Sequence, residues 1–242
     1  MRYTALVTGA DHGIGLALVR QLLEEGHLVF AGRYNLQEQA LPELAATYGD
    51  RLILVDLDVG SDTSVQAAAA KVKEHTDSLD LLINNAAILG DIETTVLGKL
   101  NFEDMLQVYN VNALGSLRMT NAIIELILNS NGRTIVNISS EAGSVGQCYR
   151  DSWFAYTMSK TAVNMHSNVV HNGIKAQGGQ VLVLHPGWVQ TFMRGEKDSA
   201  ATLTPEQSAS KLWGIIREAM EREDRPLEKP IFLDVEGQVL PW

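Results

Sequence analysis

Cysteine is almost missing from this chain: Cys148 is the only one among 242 residues. No intrachain disulfide can form, which excludes a disulfide-stapled scaffold and fits a reducing, cytoplasmic setting. Long hydrophobic runs are also lacking. No apolar stretch approaches ~18 residues, so no membrane-spanning helix is expected. The opening MRYTALVTGA passes from a short apolar run straight into glycine, without the flanks of a signal peptide. Positive charge is in deficit, with 19 Lys and Arg against 29 Asp and Glu and a formal net charge of −10. Nucleic-acid binding needs a basic footprint, and an acidic surface argues against it. There is no charged tail, no repeat and no Pro/Gly/Ser linker. His166 and His171 share a helical segment without acidic partners at ligand spacing, so no metal site is expected.

What is present is alternation. Short β-like runs, YTALV, HLVFAGR, RLILVDLDV, LDLLINNA, RTIVNISS, QVLVLHPG and KPIFLDV, alternate with helix-length segments along the whole chain. The runs carry apolar residues at both parities, as strands do when helices cover both faces of a sheet. This predicts an α/β fold, a doubly wound parallel sheet of about seven strands, in one domain spanning residues 1–242. FEDMLQVYNVNALGSLRMTNAIIELILN reads as one long helical region and WFAYTMSKTAVNMHSNVVHNGIKAQ as another. Thr204, Pro205 and Gln207 form the capping box of a late helix. Residues 188–203 have no periodicity and predict a mobile loop over a substrate.

After the first strand comes TGADHGIG, Thr8 to Gly15, which opens a helix. Strand, glycine turn and helix together are the context of a dinucleotide site. Gly9 permits the sharp turn, Gly13 lets backbone approach a pyrophosphate, and Gly15 lets the helix pack against the sheet. The free N–H groups at the helix start attract phosphate. A site that prefers NAD holds the ribose hydroxyls with an acid at the end of the second strand. Here that strand ends in Gly32 and Arg33. A guanidinium there matches a 2′-phosphate, so NADP(H) is favoured over NAD(H).

Tyr156 and Lys160 stand four apart and share one helical face. Reduction of a carbonyl needs a proton for the developing alkoxide. A phenol with pKa about 10 is a weak donor at neutral pH, and a nearby ammonium is expected to lower it.

Six stretches occur in a telling order: TGADHGIG, NNAA (84–87), NVNALG (110–115), NISS (137–140), YTMSK (156–160) and HPGWVQT (185–191). Together they resemble the short-chain dehydrogenase/reductase family over nearly the whole chain. HPGWVQT and the tail IFLDVEGQVLPW look most like the branch of sniffer-type carbonyl reductases and C-factor proteins. The resemblance implies a Rossmann-type fold and a catalytic group of Asn112, Ser140, Tyr156 and Lys160, with Ser139 the local competitor of Ser140. It gives Lys160 hydrogen bonds to the nicotinamide ribose, and gives the Asn112 backbone a water that links Lys160 to solvent. For the cofactor it implies Gly9, His12, Gly13, Ile14, Gly15, Arg33, Asp58, Val59, Asn85, Ala86, Pro186, Gly187, Val189 and Thr191, besides Tyr156 and Lys160. His12 stands where NADP-using relatives often have a second basic residue, and Ala87 replaces a usual glycine. Ser140 and Tyr156 are a few residues further apart than is usual, the extra length lying in QCYRDSW. Cys148 reads as a pocket wall.

The expected activity is an NADPH-dependent carbonyl reductase acting on an aldehyde or ketone. An alcohol dehydrogenase running oxidatively and a non-catalytic nucleotide-binding sensor are the alternatives. Retention of both Tyr156 and Lys160 disfavours the sensor. Relatives pair two long helices in homodimers or homotetramers, and AIIELIL is apolar enough to permit it.

Overall fold

Apolar residues at both parities are divided between two cores. In β1 (Thr4–Val7), Ala5 and Val7 enter one core while Leu6 enters the other. The computed structural model describes residues 2–242. The remaining strands are β2 (Leu28–Arg33), β3 (Leu52–Asp56), β4 (Leu81–Asn84), β5 (Thr134–Ile138), β6 (Gln180–Leu184) and β7 (Ile231–Leu233). They form one parallel seven-stranded sheet in the order β3-β2-β1-β4-β5-β6-β7. The order reverses between β1 and β4, and in such sheets the crevice beyond the carboxyl ends at that point takes the ligand.

One face is covered by α1 (Gly13–Glu24), α2 (Ala40–Tyr48) and α7 (Pro205–Glu221), whose Leu18, Leu22, Leu41, Trp213 and Ile216 are buried there. The other is covered by α3 (Asp62–Lys73), α5 (Gly115–Leu128) and α6 (Phe154–Ile174), with α4 (Phe102–Tyr109) packed on α6. The capping box at Thr204 is formed as the sequence predicts. Among the described residues no helix is long and apolar enough to cross a membrane.

Two local expectations change. The long helix over 102–129 is two helices, because residues Asn110–Leu114 form a π-turn. Asn110 is pulled aside there: its amide donates to the Gly60 carbonyl (3.0 Å) and its oxygens accept from Arg118. Ile123, Leu126 and Ile127 of AIIELIL are spent on the core, so the exposed apolar residues lie instead at Phe102 and Leu106 of α4 and Met165 and Val169 of α6. Residues 188–203 are tied at their base, where Gln190 N–H donates to Leu203 O (2.9 Å) and Leu203 N–H to Trp188 O (3.1 Å).

Candidate active site

A cleft of about 1080 Å³ opens where the carboxyl ends of the central strands meet the helix starts. Its nucleotide side is built from backbone. Gly9 sits at φ +62°, and a Cβ there would lie 2.8 Å from Ala86 Cα. At Gly15 a Cβ would come within 2.2 Å of the Gly9 carbonyl and 2.6 Å of the Asn85 amide, so only glycine lets α1 start this close to the turn. The NNAA segment clamps the same turn. Thr8 Oγ1 accepts from the N–H of Asn85 and Ala86 (3.0 and 3.1 Å), and Asn85 Nδ2 donates to the Thr8 and Gly9 carbonyls (both 3.0 Å). Helix α1 has no side-chain cap on His12 and no acid in its first turn. Its first N–H groups are thus free to meet an anion.

Most residues expected to hold the cofactor line this cleft: Gly9, His12, Gly13, Ile14, Asp58, Val59, Asn85, Ala86, Tyr156, Lys160, Pro186, Gly187, Val189 and Thr191. Gly15 is buried behind the turn. Arg33 is not on the cleft wall: its Nε donates to Asp56 Oδ1 at 2.7 Å, so the expected phosphate ligand already holds a carboxylate. Asp11, which the sequence reading passed over, braces this corner by accepting from the N–H of Tyr34 (2.9 Å) and Asn35 (3.2 Å). Its signal was a buried acid inside the glycine turn itself. A cradle that Cβ atoms would fill, with an uncapped helix start beside it, suits a nicotinamide dinucleotide. Gly9, Gly13 and the α1 start would hold its pyrophosphate.

The other side of the cleft carries side-chain chemistry. Tyr156 and Lys160 project from α6 and are nearly inaccessible, at 9% and 3%. Lys160 Nζ donates to Ile138 O (2.8 Å) and lies 5.5 Å from the centre of the Tyr156 ring. Burial brings the amine down to about 8. The phenol moves the opposite way from expectation. Burial first, and the Glu141 carboxylate second, push it up to about 12, while Ser140 and Arg150 pull weakly downward. The amine is not what governs the phenol here; loss of solvent is.

Both serines line the cleft. The Ser139 hydroxyl donates to Asn164 Oδ1 (2.6 Å). Ser140 donates to Glu141 Oε2 (2.6 Å) and accepts from Ala142 N–H (3.1 Å). Asn112 lies in the π-turn, outside the cleft wall. Its side chain bridges Ile88 (2.8 and 2.9 Å) and Ser159 Oγ (3.0 Å), fixing the strand end opposite α6. Glu141 and His185 also face the cleft, and the sequence reading missed both, while Arg150 faces it from the QCYRDSW segment. The one hint was the acid directly after Ser140. Cys148 is exposed and off the cleft wall, which corrects its reading as part of the pocket. Among the described residues, no three or more His, Cys, Asp or Glu are grouped to hold a metal ion.

A family model described as short chain dehydrogenase matches residues 3–202, and the chain belongs to that family. It is therefore an NAD(P)-dependent oxidoreductase by kinship. The chain is 36% identical over 191 residues to 17-beta-hydroxysteroid dehydrogenase type 6 of Homo sapiens, which covers 77% of this chain but only 57% of that longer protein. It is 32% identical over 167 residues to the C-signal of Myxococcus xanthus, covering 69% of this chain and 95% of that one. Two solved structures superpose over the full length of both chains. These are the NADPH-bound carbonyl reductase from chicken fatty liver (TM-score 0.88, 31% identity) and the carbonyl reductase Sniffer of D. melanogaster (TM-score 0.88, 25% identity).

Proposed function

We propose that this protein is an NADPH-dependent reductase of aldehydes or ketones, with Tyr156 as proton donor. One observation carries the reading: a buried phenol and amine, one turn apart on α6, share a cleft with the glycine turn and the uncapped start of α1. A nicotinamide bound along that cleft supplies the hydride. The chain's own work is to hold the dinucleotide, orient the carbonyl and deliver a proton. The α1 N–H groups meet pyrophosphate charge. Tyr156, pushed up to about 12, keeps its proton at neutral pH and enters as an acid. Its hydrogen bond to the carbonyl oxygen strengthens as negative charge builds there, because the phenol is buried from solvent. Lys160, brought down to about 8, lies close enough to neutral to restore that proton, with the Asn112 backbone as the route outward.

Three finer points belong to the same reading. Arg33 recognises the 2′-phosphate in competition with Asp56. Residues 188–203 close over the carbonyl. The exposed apolar residues on α4 and α6 pair two copies of the chain in a homodimer or homotetramer, and the single cysteine suits a cytoplasmic setting. The direct test is NADPH consumption against a panel of aldehydes and ketones. Turnover of carbonyls with NADPH is expected; binding of NADPH with no turnover of any panel member would sink the catalytic reading.

A further inference from the structure

Besides histidines, three basic side chains line the cleft: Arg150, Lys160 and Arg194. Two of them are already bonded. Arg150 donates to the Glu141 carboxylate, and Lys160 Nζ donates to the Ile138 carbonyl at 2.8 Å. Arg194 is different. Among the described residues, no acceptor lies within hydrogen-bond reach of its guanidinium. The nearest carboxylate oxygen, Asp198 Oδ2, is 3.9 Å from Nε and already accepts the Trp188 indole N–H at 2.8 Å. Arg194 is thus a half-exposed cation on the cleft wall with its donors unspent.

A ring holds it there. The guanidinium carbon of Arg194 lies 5.5 Å from the centre of the Trp153 ring, which also carries the Arg150 guanidinium at 5.0 Å. Trp153 has φ +67°, a left-handed conformation rare for a residue with a Cβ, so its surroundings impose the place of the indole before α6. The same indole stands edge-on to Tyr156, with ring centres 6.0 Å apart. Two steps, of 5.5 and 6.0 Å, therefore join the unbonded cation to the proton donor. Attraction to a ring face uses none of the guanidinium N–H donors, and their planar fork matches a carboxylate.

The position of Arg194 also says which molecule brings the anion. Thr191, earlier in the same segment, is the residue that meets the glycine turn: a Cβ on Gly13 would lie 3.4 Å from its Cγ2. By Arg194 the segment has crossed to Trp153, on the substrate side. Tyr149, Trp188 and Phe192 stand exposed around that mouth and offer apolar faces between the two ends.

We propose that Arg194 selects the substrate: an aldehyde or ketone that carries a carboxylate at the far end of an apolar arm. The carbonyl lies at Tyr156 and the carboxylate at Arg194. In an α-keto acid the carboxylate is bonded to the carbonyl carbon, so it would sit at the phenol and not across Trp153; such acids are outside the class. The proposal rests on the reductase reading and adds the substrate to it.

The test compares para-acetylbenzoate with its methyl ester, which share ring and ketone and differ in charge at the far end. kcat/KM is measured for both at saturating NADPH in wild type, Arg194→Gln and Arg194→Lys. Wild type is expected to prefer the acid at least ~10-fold, the preference lying in KM and shrinking with added salt. Arg194→Gln brings the acid-to-ester ratio close to unity, and Arg194→Lys keeps part of it. A lesion of the whole 188–203 segment would lower both ketones together and leave the ratio standing. A wild type that reduces ketones without preferring the acid overturns the proposal, as does a preference that survives Arg194→Gln. A loss confined to NADPH affinity also overturns it, because the anion would then be the pyrophosphate. If wild type reduces no carbonyl at all, the reductase reading fails, and calorimetric titration of para-acetylbenzoate into the NADPH complex decides the role of Arg194. Binding that Arg194→Gln abolishes supports it; binding that is equal in the two proteins, or absent from both, overturns it.

Discussion

The two sides of the cleft are made differently. On the nucleotide side the contacts run from backbone to backbone or from short side chains: the Gly9 turn, the Gly15 approach, and Thr8 and Asn85 locking one to the other. On the substrate side they run between long side chains, Glu141 with Arg150 and Trp188 with Asp198, and between the Arg150 guanidinium and the Trp153 ring. Tyr149, Trp188 and Phe192 are half or more exposed around that mouth. A backbone cradle tolerates almost no substitution, because the atoms it would displace cannot move. A wall of side chains can be rebuilt one residue at a time without disturbing the sheet. The difference separates what this chain must share with any dinucleotide enzyme of its family from what is its own.

The sharpest way to break the comparison is at the boundary. Tyr156→Phe removes the proton donor and leaves both walls standing. Turnover is expected to fall at least ~100-fold while NADPH affinity, measured by fluorescence titration, stays within about twofold. Full turnover in this variant would falsify the catalytic assignment. Gly15→Ala attacks the nucleotide side alone. Its Cβ would meet the Gly9 carbonyl at 2.2 Å, so α1 must back away from the turn. Overpacking of this kind costs about 1–3 kcal/mol, and the expectation is an NADPH dissociation constant raised at least ~10-fold. Unchanged affinity in a folded variant would mean that the α1 start does not carry the phosphates.

Arg33 tests whether a side chain can matter on the backbone side. Losing a charge-assisted contact costs about 1.5–3 kcal/mol, or roughly 10- to 150-fold in affinity. Because Arg33 is already bonded to Asp56 at 2.7 Å, the phosphate must share it, and the lower end of that range is expected for Arg33→Ala with NADPH. NADH affinity should hardly change. Asp56→Asn should sharpen the NADPH preference by freeing the guanidinium. The check is the ratio of kcat/KM with NADPH to that with NADH in all three proteins; a ratio that survives Arg33→Ala places phosphate recognition elsewhere.

The same division explains what could be read in advance. Strand periodicity, the glycine spacing and the i, i+4 pair are local patterns, so the sheet, the turn and Tyr156 with Lys160 were legible. Ser140 was set apart from Ser139 by the EAG that follows it in the family resemblance, and nothing local in the sequence shows that the Ser139 hydroxyl donates to Asn164. What could not be read depends on contacts between distant segments. The Arg33–Asp56 pair joins two strand ends 23 residues apart. Arg150 reaches Glu141 only because the inserted segment folds back, with Trp153 in a left-handed conformation (φ +67°) before α6 begins. The π-turn at Asn112 is invisible to helical periodicity, since its neighbours on both sides remain helical. The direction of the Tyr156 displacement was missed for a further reason. Sequence spacing shows that an amine is near, but it does not show how completely water has been removed.

The smallest effect is expected on the substrate side, at Asp198. Its Oδ2 accepts the Trp188 indole N–H at 2.8 Å and lies 3.9 Å from Arg194 Nε, while its own N–H donates to Thr191 O at 3.0 Å. The residue therefore ties the 188–203 segment across its middle, above the bonds from Gln190 and Leu203 that close its base. Asp198→Ala removes the side-chain tie and leaves the backbone bond. An indole hydrogen bond of this kind contributes about 0.5–1.5 kcal/mol, more when the acceptor is charged, but half-exposed Trp188 recovers part of that from water. The expected result is a KM for the carbonyl raised ~3- to 10-fold, with kcat and NADPH affinity changed by no more than about twofold. Hydrogen exchange should quicken in residues 190–199 and nowhere along the glycine turn. If kcat falls as far as KM rises, the segment takes part in the chemistry, and the two sides of the cleft are not independent. If exchange in the segment is unchanged, the base bonds alone hold it, and Asp198 does not govern its closure.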